Sequence, residues 1–194
     1  MVRDHEAAGS SPATPTSYVE NPVYIENTGF FSTPYVVGTI LDEKRIIVME
    51  IGKCAITENE IIQALEKETT LSLATCSGNR VSIRPISHIN DGLDVYFQTG
   101  VDSLKIQQIR ENCNVALCVG TYQIEGVAHE LGHPLDIGNT SFANAYKLKH
   151  PGSFECYSSY SDEVVVHVTI HRATQWRYTD GKPYVAEWES ETAQ

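Results

Sequence analysis

Three short runs of alternating apolar and polar residues, separated by tight turns, constrain the fold of this chain more than any other feature. They lie at 69–76, 80–89 and 93–99, and the segments between them, 77–79 (SGN) and 90–92 (NDG), are typical of turns. A period of two places alternate side chains on one face of a sheet. The spacing therefore predicts a meander of antiparallel strands.

Further segments predict helices packed against more strands. Thr57 and Glu60 have the spacing of a capping box, which predicts a helix over 58–68. Asp102 or Ser103 begins a second predicted helix that ends near Asn112. The remaining predictions are a short helix at 139–149, strands at 115–122, 123–131 and 164–171, and a hairpin that turns at Asp180-Gly181. Together they predict an α+β fold that is mainly antiparallel, either a barrel or a sandwich.

The N-terminal part of the chain differs in composition from the rest. Residues 1 to about 34 are small, polar and rich in proline, which is typical of a segment that cannot bury enough surface to order itself. Met49 precedes the first strong helical signal, so 1–48 is interpreted as a largely flexible or dispensable extension and 49–194 as the functional domain. The stretches YVVGTI and RIIVMEI are still apolar enough to form one or two strands.

Composition also narrows the classes of function. The formal net charge of -11 and the pI near 5.0 describe a surface that repels phosphate backbones, so no nucleic-acid partner is expected. No apolar run is long enough to span a bilayer, and the first residues do not resemble a secretory signal, so no membrane partner is expected. The five cysteines include no C-x-x-C pair, which favours reduced thiols and a cytoplasmic location.

The stretch VAHELGHPLD contains the H-E-x-x-H pattern of zinc proteases at His129, Glu130 and His133. That chemistry needs both histidines one turn apart on a helix. Pro134 follows directly and opposes helical angles at the second histidine. We therefore interpret the stretch as a strand end followed by a turn and predict no metal. A zinc hydrolase, completed by a third histidine elsewhere, remains a distant alternative.

A second group of residues has the chemistry of an anion site. Thr99, Ser103 and Lys105 surround a turn that opens a predicted helix, and Arg84 lies on a neighbouring predicted strand. Hydroxyls, an ammonium and the free amides of a helix N-terminus together suit a phosphate, and a guanidinium adds a bidentate donor. The alternative is that both cations are solvated and that Ser103 only caps the helix.

At these residues the sequence resembles a known family. The stretch LSLATCSGNRVSIRPISHINDGLDVYFQTGVDSLKIQQIRENCNVALCV resembles the flavin-binding split barrels related to pyridoxamine 5'-phosphate oxidase, and the resemblance extends over about 57–188. It implies a six-stranded antiparallel split β-barrel with flanking short helices. It also implies a homodimer that holds one flavin mononucleotide (FMN) in each of two clefts between the subunits.

The resemblance also implies roles for individual residues. Arg84, Ser103 and Lys105 would hold the FMN phosphate, with Thr99 beside it. The isoalloxazine ring would lie along one strand and the end of the next, and the second subunit would contribute one glutamine. The strand beside the ring contains Ser82, Ile83, Pro85 and Ile86, and Gln98 lies at the end of the next strand. The glutamine from the second subunit is Gln123.

The activity is less defined than the cofactor. The chain lacks the Arg-Leu-x-Pro type of ending with which the authentic oxidase binds its pyridoxyl substrate, so oxidation of pyridoxamine phosphate is not expected. The family implies an oxidoreductase that transfers hydride through FMN to or from a small or nicotinamide-type partner. Alternatives are a non-catalytic flavin or haem binder on the same barrel, or a deazaflavin protein. His88 is either a proton donor near the ring or, more often for such a position, a structural histidine.

Overall fold

The computed structural model describes residues 36–40, 46–50 and 52–191, and side chains from residue 55. The composition-based prediction for 1–34 lies outside these residues. All described residues belong to one unit of the chain, Pro34–Gln194. Among them, no helix has the length and apolarity that a bilayer crossing requires.

Eleven strands and four helices account for most of the described chain. The strands are β1 Val36–Ile40, β2 Ile46–Glu50, β3 Gly52–Ala55, β4 Thr70–Ser77, β5 Arg80–Ser87, β6 Ile89–Asp91, β7 Asp94–Gly100, β8 Asn114–Val119, β9 Tyr122–Gly132, β10 Glu163–Thr179 and β11 Lys182–Glu189. The helices are α1 Glu58–Lys67, α2 Leu104–Glu111, α3 Thr140–Lys149 and α4 Pro151–Tyr157, with a 3-10 turn at Ile137–Asn139.

Six long strands build an open barrel. Their order is β5-β4-β8-β9-β10-β7, and every neighbouring pair is antiparallel. The end strands β5 and β7 contact each other, but no ladder of hydrogen bonds joins them, so the barrel is split. The predicted α+β split barrel is thus confirmed. Three further strands belong to the same sheet: β3 and β11 extend it beyond β10, and β6 pairs with β7.

Alternation along the strands sets the inner face. Leu71, Leu73 and Thr75 point inward from β4, and Val95, Phe97 and Thr99 do so from β7. The core also receives residues from α1, α2 and β10, each with a relative exposure of 0%: Ile61, Leu65, Ile106, Val166 and Val168. The apolar faces that the sequence predicts therefore meet in one core.

Most predicted elements are confirmed within a residue or two. The capping box is present, since the Glu60 amide donates to the Thr57 hydroxyl and the Thr57 amide donates to the Glu60 carboxylate. The last hairpin turns at Asp180 and Gly181, both with positive φ, as a two-residue type I′ turn requires. The predicted strands near 36–50 exist as the pair β1 and β2. Met49 lies in β2, and a domain boundary at 49 remains a prediction.

The structure differs from the sequence predictions in the extent of one strand and in one helix that was not predicted. The segments 164–171 and 174–179 form one continuous strand, β10, because it follows two partners in succession and absorbs a register shift between Ile170 and Arg172. The second difference is α4, which directly follows α3 and has Pro151 at its first turn. Proline suits that position because its missing N–H would have no partner inside a helix.

Candidate functional site

Arg84 lies on the inner face of β5 and is held by neighbours from two other elements. Its Nη1 donates to Thr75 Oγ1 at 2.7 Å and to the Leu73 carbonyl at 3.3 Å. Its Nη2 lies 3.5 Å from Gln108 Oε1, at the edge of hydrogen-bonding distance. Burial lowers the pKa of the guanidinium. All of these partners are neutral, so the charge is positioned but not compensated by them.

Lys105 lies on the first turn of α2 and completes a second cluster. Its Nζ donates to Thr99 Oγ1 at 2.6 Å, and the Thr99 and Ser103 hydroxyls are 3.4 Å apart. Ser103 is the N-cap residue of α2, as predicted, but its side chain makes no capping hydrogen bond. Its hydroxyl therefore remains available beside the positive end of the helix.

The two cations are close enough to repel each other. Burial lowers the pKa of Lys105, the nearby charge of Arg84 lowers it further, and Glu163 opposes both effects. Within 52–191, neither Arg84 nor Lys105 forms an ion pair with a carboxylate. Two desolvated like charges are stabilised by an anion between or beside them. The charge and burial of this arrangement therefore suit a small dianion.

Glu163 is the acidic group whose charge acts on Lys105. It pairs in register with Gly100 at the end of β7. Burial raises the pKa of Glu163, and Asp162 raises it further, while Lys105 and His133 oppose the shift. One of its carboxylate oxygens is buried without a hydrogen-bond partner. An anion that bound beside Lys105 would therefore meet this carboxylate as a competitor.

The remaining predicted site residues divide between the two faces of the sheet. Ser82 and Ile86 share the inner face of β5 with Arg84, whereas Ile83 and Pro85 are exposed on the outer face. Gln98 lies on the face of β7 opposite to Thr99, and its Oε1 accepts from Ser158 at 2.7 Å. The structure thus brings Arg84, Thr99, Ser103 and Lys105 together and directs the side chains of Gln98, Ile83 and Pro85 elsewhere.

Gln123 is exposed on β9 and lies far from the cluster within one chain. In the sheet, β9 is the third strand from β5, which carries Arg84. Neighbouring strands are about 4.8 Å apart, so β9 and β5 are about 14 Å apart along the sheet. A contribution from this residue to the same ligand would have to come from a second copy of the chain.

The H-E-x-x-H stretch has no helix. His129 and Glu130 lie on β9, which ends at Gly132 before the turn around Pro134, as predicted. The Glu130 carboxylate forms a bidentate ion pair with Arg110, with both distances at 2.8 Å. The His133 Nε2 lies 2.9 Å from the Tyr160 carbonyl. These three side chains do not converge as a protease zinc site requires.

His88 is fully buried, with a relative exposure of 0%. Its Nε2 lies 2.9 Å from the Leu65 carbonyl at the end of α1. Burial, followed by the charge of Lys149, lowers its pKa to about 4. The structural interpretation of this histidine is therefore the one that the geometry supports.

Two residues that position Arg84 were missed in the sequence. Thr75 and Gln108 are both buried, at 2% exposure, and the Thr75 hydroxyl donates to Gln108 Oε1 at 2.6 Å. The Gln108 amide also donates to the Arg80 carbonyl. A signal was present, since Thr75 continues the inward alternation of Leu71 and Leu73 and Gln108 lies among the inward isoleucines of α2. A polar side chain at a core position needs a partner.

Comparison with known proteins identifies the family of this chain. A family model described as pyridoxamine 5'-phosphate oxidase matches residues 57–177, which is more than half of the chain. The chain belongs to the pyridoxamine 5'-phosphate oxidase family. The match begins at the N-cap of α1 and ends inside β10, so it includes both cations and the residues that hold them. No protein with curated annotation matches the sequence significantly.

Solved structures share the split barrel of this pyridoxamine 5'-phosphate oxidase family member at low sequence identity. An FMN-binding protein related to pyridoxamine 5'-phosphate oxidase, from Nostoc punctiforme, is 14% identical, with 70% of this chain and 92% of that chain covered and a TM-score of 0.51. An FAD-binding protein from Mesorhizobium loti is 17% identical, with 61% and 92% covered and a TM-score of 0.51. A haem storage protein from Vibrio cholerae is 12% identical, with 59% and 89% covered and a TM-score of 0.52. These similarities concern the fold.

Proposed function

We propose that this protein binds FMN and that Arg84 and Lys105 hold the phosphate of the cofactor. The observation that carries the proposal is the pair of desolvated cations, held by neutral partners and without an ion pair in the described chain. A phosphate monoester carries about -1.5 to -2 charges near neutral pH, which matches two cations. The name of the Nostoc punctiforme protein supports the choice of FMN.

The hydroxyls around the cations fit the same ligand. Thr99 and Ser103 are each able to donate to a phosphate oxygen, and the N-terminus of the eight-residue helix α2 adds a favourable dipole. Thr75 on β4 and Gln108 on α2 position Arg84 without neutralising its charge. From this phosphate site the isoalloxazine ring would follow the strand segment that contains Ser82, Ile83, Pro85 and Ile86, past the backbone of Gln98.

A homodimer is part of the proposal because the outer face of the sheet is suited to a second copy. Val81 and Ile83 are 71% and 69% exposed on the edge strand β5. The facing residues of β4 and β8 are small, so the surface beside them is low and flat: Ser72, Ala74, Cys76, Ala116 and Cys118. Exposed apolar groups beside such a surface favour association. The partner's Gln123 would then reach the cofactor, from which Gln123 of the same chain is too distant.

FMN, when bound, would supply hydride or electron transfer at its ring, which makes the protein an oxidoreductase of a small or nicotinamide-type partner. The residues of the chain would bind and orient the cofactor. Arg84, Lys105, Ser103 and Thr99 would fix the phosphate, and the positions along β5 and β7 would set how deeply the ring lies between the subunits. No catalytic acid or base is assigned, because His88 is buried and its Nε2 contacts Leu65.

The first experiment is a visible absorption spectrum of the purified protein, with mass identification of the compound released on denaturation. We expect a flavin spectrum and released FMN. Release of haem or a deazaflavin would contradict FMN while keeping the barrel. A colourless protein that does not bind added FMN would contradict the proposal as a whole.

A second experiment separates an enzyme from a non-catalytic binder. NADH or NADPH is added anaerobically to the FMN-loaded protein, and loss of the oxidised flavin absorption is followed. We expect bleaching at a rate that rises and saturates with the donor concentration. No bleaching by either nicotinamide donor, with normal bleaching by dithionite, would favour a binder that does not react with nicotinamide partners.

A further inference from the structure

Three ring-bearing side chains form a row across the outer face of the sheet. His167 on β10 is directly opposite Tyr96 on β7 and His129 on β9. Directly opposed residues in antiparallel strands project to the same face with Cβ atoms about 4.5–5.5 Å apart. Their inward neighbours Val166, Val168 and Ala128 are buried in the core, which places the row on the opposite side.

The His167 ring is held in a defined orientation. Its Nε2 lies 2.7 Å from Asp94 Oδ1, and Tyr96 stacks on it with centroids 4.6 Å apart and planes 11° from parallel. An aspartate that accepts from Nε2–H leaves Nδ1 of the neutral ring with its lone pair. A carboxylate on one nitrogen and a free lone pair on the other is the arrangement found behind metal-ligating histidines.

We propose that His129 and His167 bind a divalent transition-metal ion on this outer face, with Asp94 as the positioning residue. His129 is exposed, and the strand register places it on the side of His167 opposite to Tyr96. Imidazoles on directly opposed residues, whose Cβ atoms are about 4.5–5.5 Å apart, can reach one ion at metal–nitrogen distances of about 2.0–2.1 Å. Within the described chain, no cluster of three or more potential ligands forms, so the proposed site has two protein ligands and water would complete the coordination.

The ligand chemistry selects the class of ion. Neutral imidazoles favour Cu²⁺, Ni²⁺ and Zn²⁺ over Mg²⁺ and Ca²⁺, and affinity for such sites is highest for Cu²⁺. The site is also separate from the proposed phosphate site, because Arg84 and Thr99 project to the inner face of the barrel. It does not depend on whether FMN binds.

Cu²⁺ and Zn²⁺ serve as the probes for this site. Near neutral pH, Cu²⁺ is followed by electron paramagnetic resonance and Zn²⁺ by calorimetric titration of the full chain. We expect one Cu²⁺ with nitrogen couplings from two imidazoles, and loss of that signal in His129→Ala and in His167→Ala. Asp94→Asn should keep both ligands but weaken Zn²⁺ affinity roughly 10- to 100-fold, as removal of a carboxylate behind a ligating histidine does.

His171→Ala is the matched control, since His171 also lies on β10 but outside the row. Its metal affinity should equal that of the unaltered protein. Circular dichroism of each variant establishes that the sheet has formed. Cu²⁺ and Zn²⁺ affinities that do not change in either His129→Ala or His167→Ala, with both variants folded, would overturn the proposal. So would equal losses in His171→Ala, or one-nitrogen coupling in the unaltered protein.

Discussion

Arg84 Nη1 lies 2.7 Å from Thr75 Oγ1, so a side chain on β5 is fixed by a buried hydroxyl on the neighbouring strand β4. The same hydroxyl donates to Gln108 on α2 at 2.6 Å. The guanidinium is thus positioned by a strand and a helix together. Its orientation is set before any ligand binds, which reduces the ordering cost of binding an anion.

Replacement of Thr75 by valine should weaken FMN binding without removing a charge. The change keeps the shape but deletes the hydrogen bond that orients Arg84, so we expect a loss of about tenfold, or about 1.4 kcal/mol. Fluorescence quenching of FMN during titration measures it. Thr70→Val, an exposed threonine on the same strand, is the control and should bind normally. Equal FMN affinity in Thr75→Val and the unaltered protein would show that Arg84 does not need this contact.

Replacement of Glu163 by glutamine should stabilise the protein at neutral pH and tighten FMN binding. Burial and Asp162 raise the pKa of Glu163 in the folded state above its ordinary value near 4.5. Above the folded pKa, the charged carboxylate therefore lowers the free energy of unfolding. This destabilisation disappears as pH falls below 4.5.

For Glu163→Gln we expect a melting temperature roughly 2 °C higher near neutral pH, since one partly exposed carboxylate contributes well under 1 kcal/mol after screening. The advantage should vanish in acid. Glu155→Gln, an exposed change on α4, is the control. A variant that melts lower at neutral pH and binds FMN more weakly would mean that Glu163 supports Lys105 instead of competing for it.

His88 should make the protein sensitive to mild acid. Burial, and then the charge of Lys149, depresses its folded pKa from 6.5 to about 4. The unfolded chain therefore binds a proton below pH 6.5 that the folded chain does not bind until about pH 4. Stability is fully present above 6.5 and falls as pH drops toward 4, by up to about 3 kcal/mol.

Urea unfolding across that pH range measures this loss. His88→Gln retains an amide donor for Leu65 but does not titrate, so its stability should change less between pH 6.5 and 4. His129→Gln on the exposed face of β9 serves as the control, and its acid profile should follow that of the unaltered protein. An acid profile unchanged by His88→Gln would assign the sensitivity to other groups.

Gly126 should not tolerate a side chain. A Cβ there would lie 2.8 Å from the Thr169 carbonyl oxygen and 2.8 Å from Val168 Cγ1, and the first of these belongs to the backbone of β10. Gly126→Ala should therefore cost about 1–3 kcal/mol and lower the melting temperature by several degrees. Gly138→Ala, where a Cβ meets nothing within 4 Å, is the control. Equal melting temperatures for the two variants would show that β9 and β10 accommodate the added methyl group without loss of stability.

The local pattern of the sequence predicts most of the barrel because alternation fixes which side chains point inward. A period of two within the runs 69–76 and 93–99 predicts that Leu71 and Leu73 share one face and that Val95 and Phe97 share another, and all four are buried. The parallel pairing of β3 with β11 was not accessible in this way, since residues about 130 positions apart meet only in the folded chain. The continuity of β10 was hidden because its register shift near Ile170 interrupts the alternation.

The candidate site was predicted in part for a similar reason. Thr99, Ser103 and Lys105 are local in sequence, so a turn that opens a helix already implies their proximity. Gln98 shows where a prediction from local sequence fails. Successive residues of a strand point to opposite faces, so Thr99 points inward and Gln98 points to the other face, where it contacts Ser158. The approach of Arg84 to Lys105 depends on the open edge between β5 and β7, which local patterns do not specify.

The most direct test of the central claim compares FMN with riboflavin, which has the same ring but no phosphate. Equilibrium titration is carried out with the unaltered protein, with Arg84→Ala/Lys105→Ala, and with Lys182→Ala as a control for loss of an exposed cation. We predict that the unaltered protein and Lys182→Ala prefer FMN by at least about 100-fold, a free-energy difference of about 2.7 kcal/mol. In the double variant that preference should disappear, while riboflavin affinity stays the same. A preference for FMN that persists without Arg84 and Lys105 would place the phosphate elsewhere and contradict the proposed site.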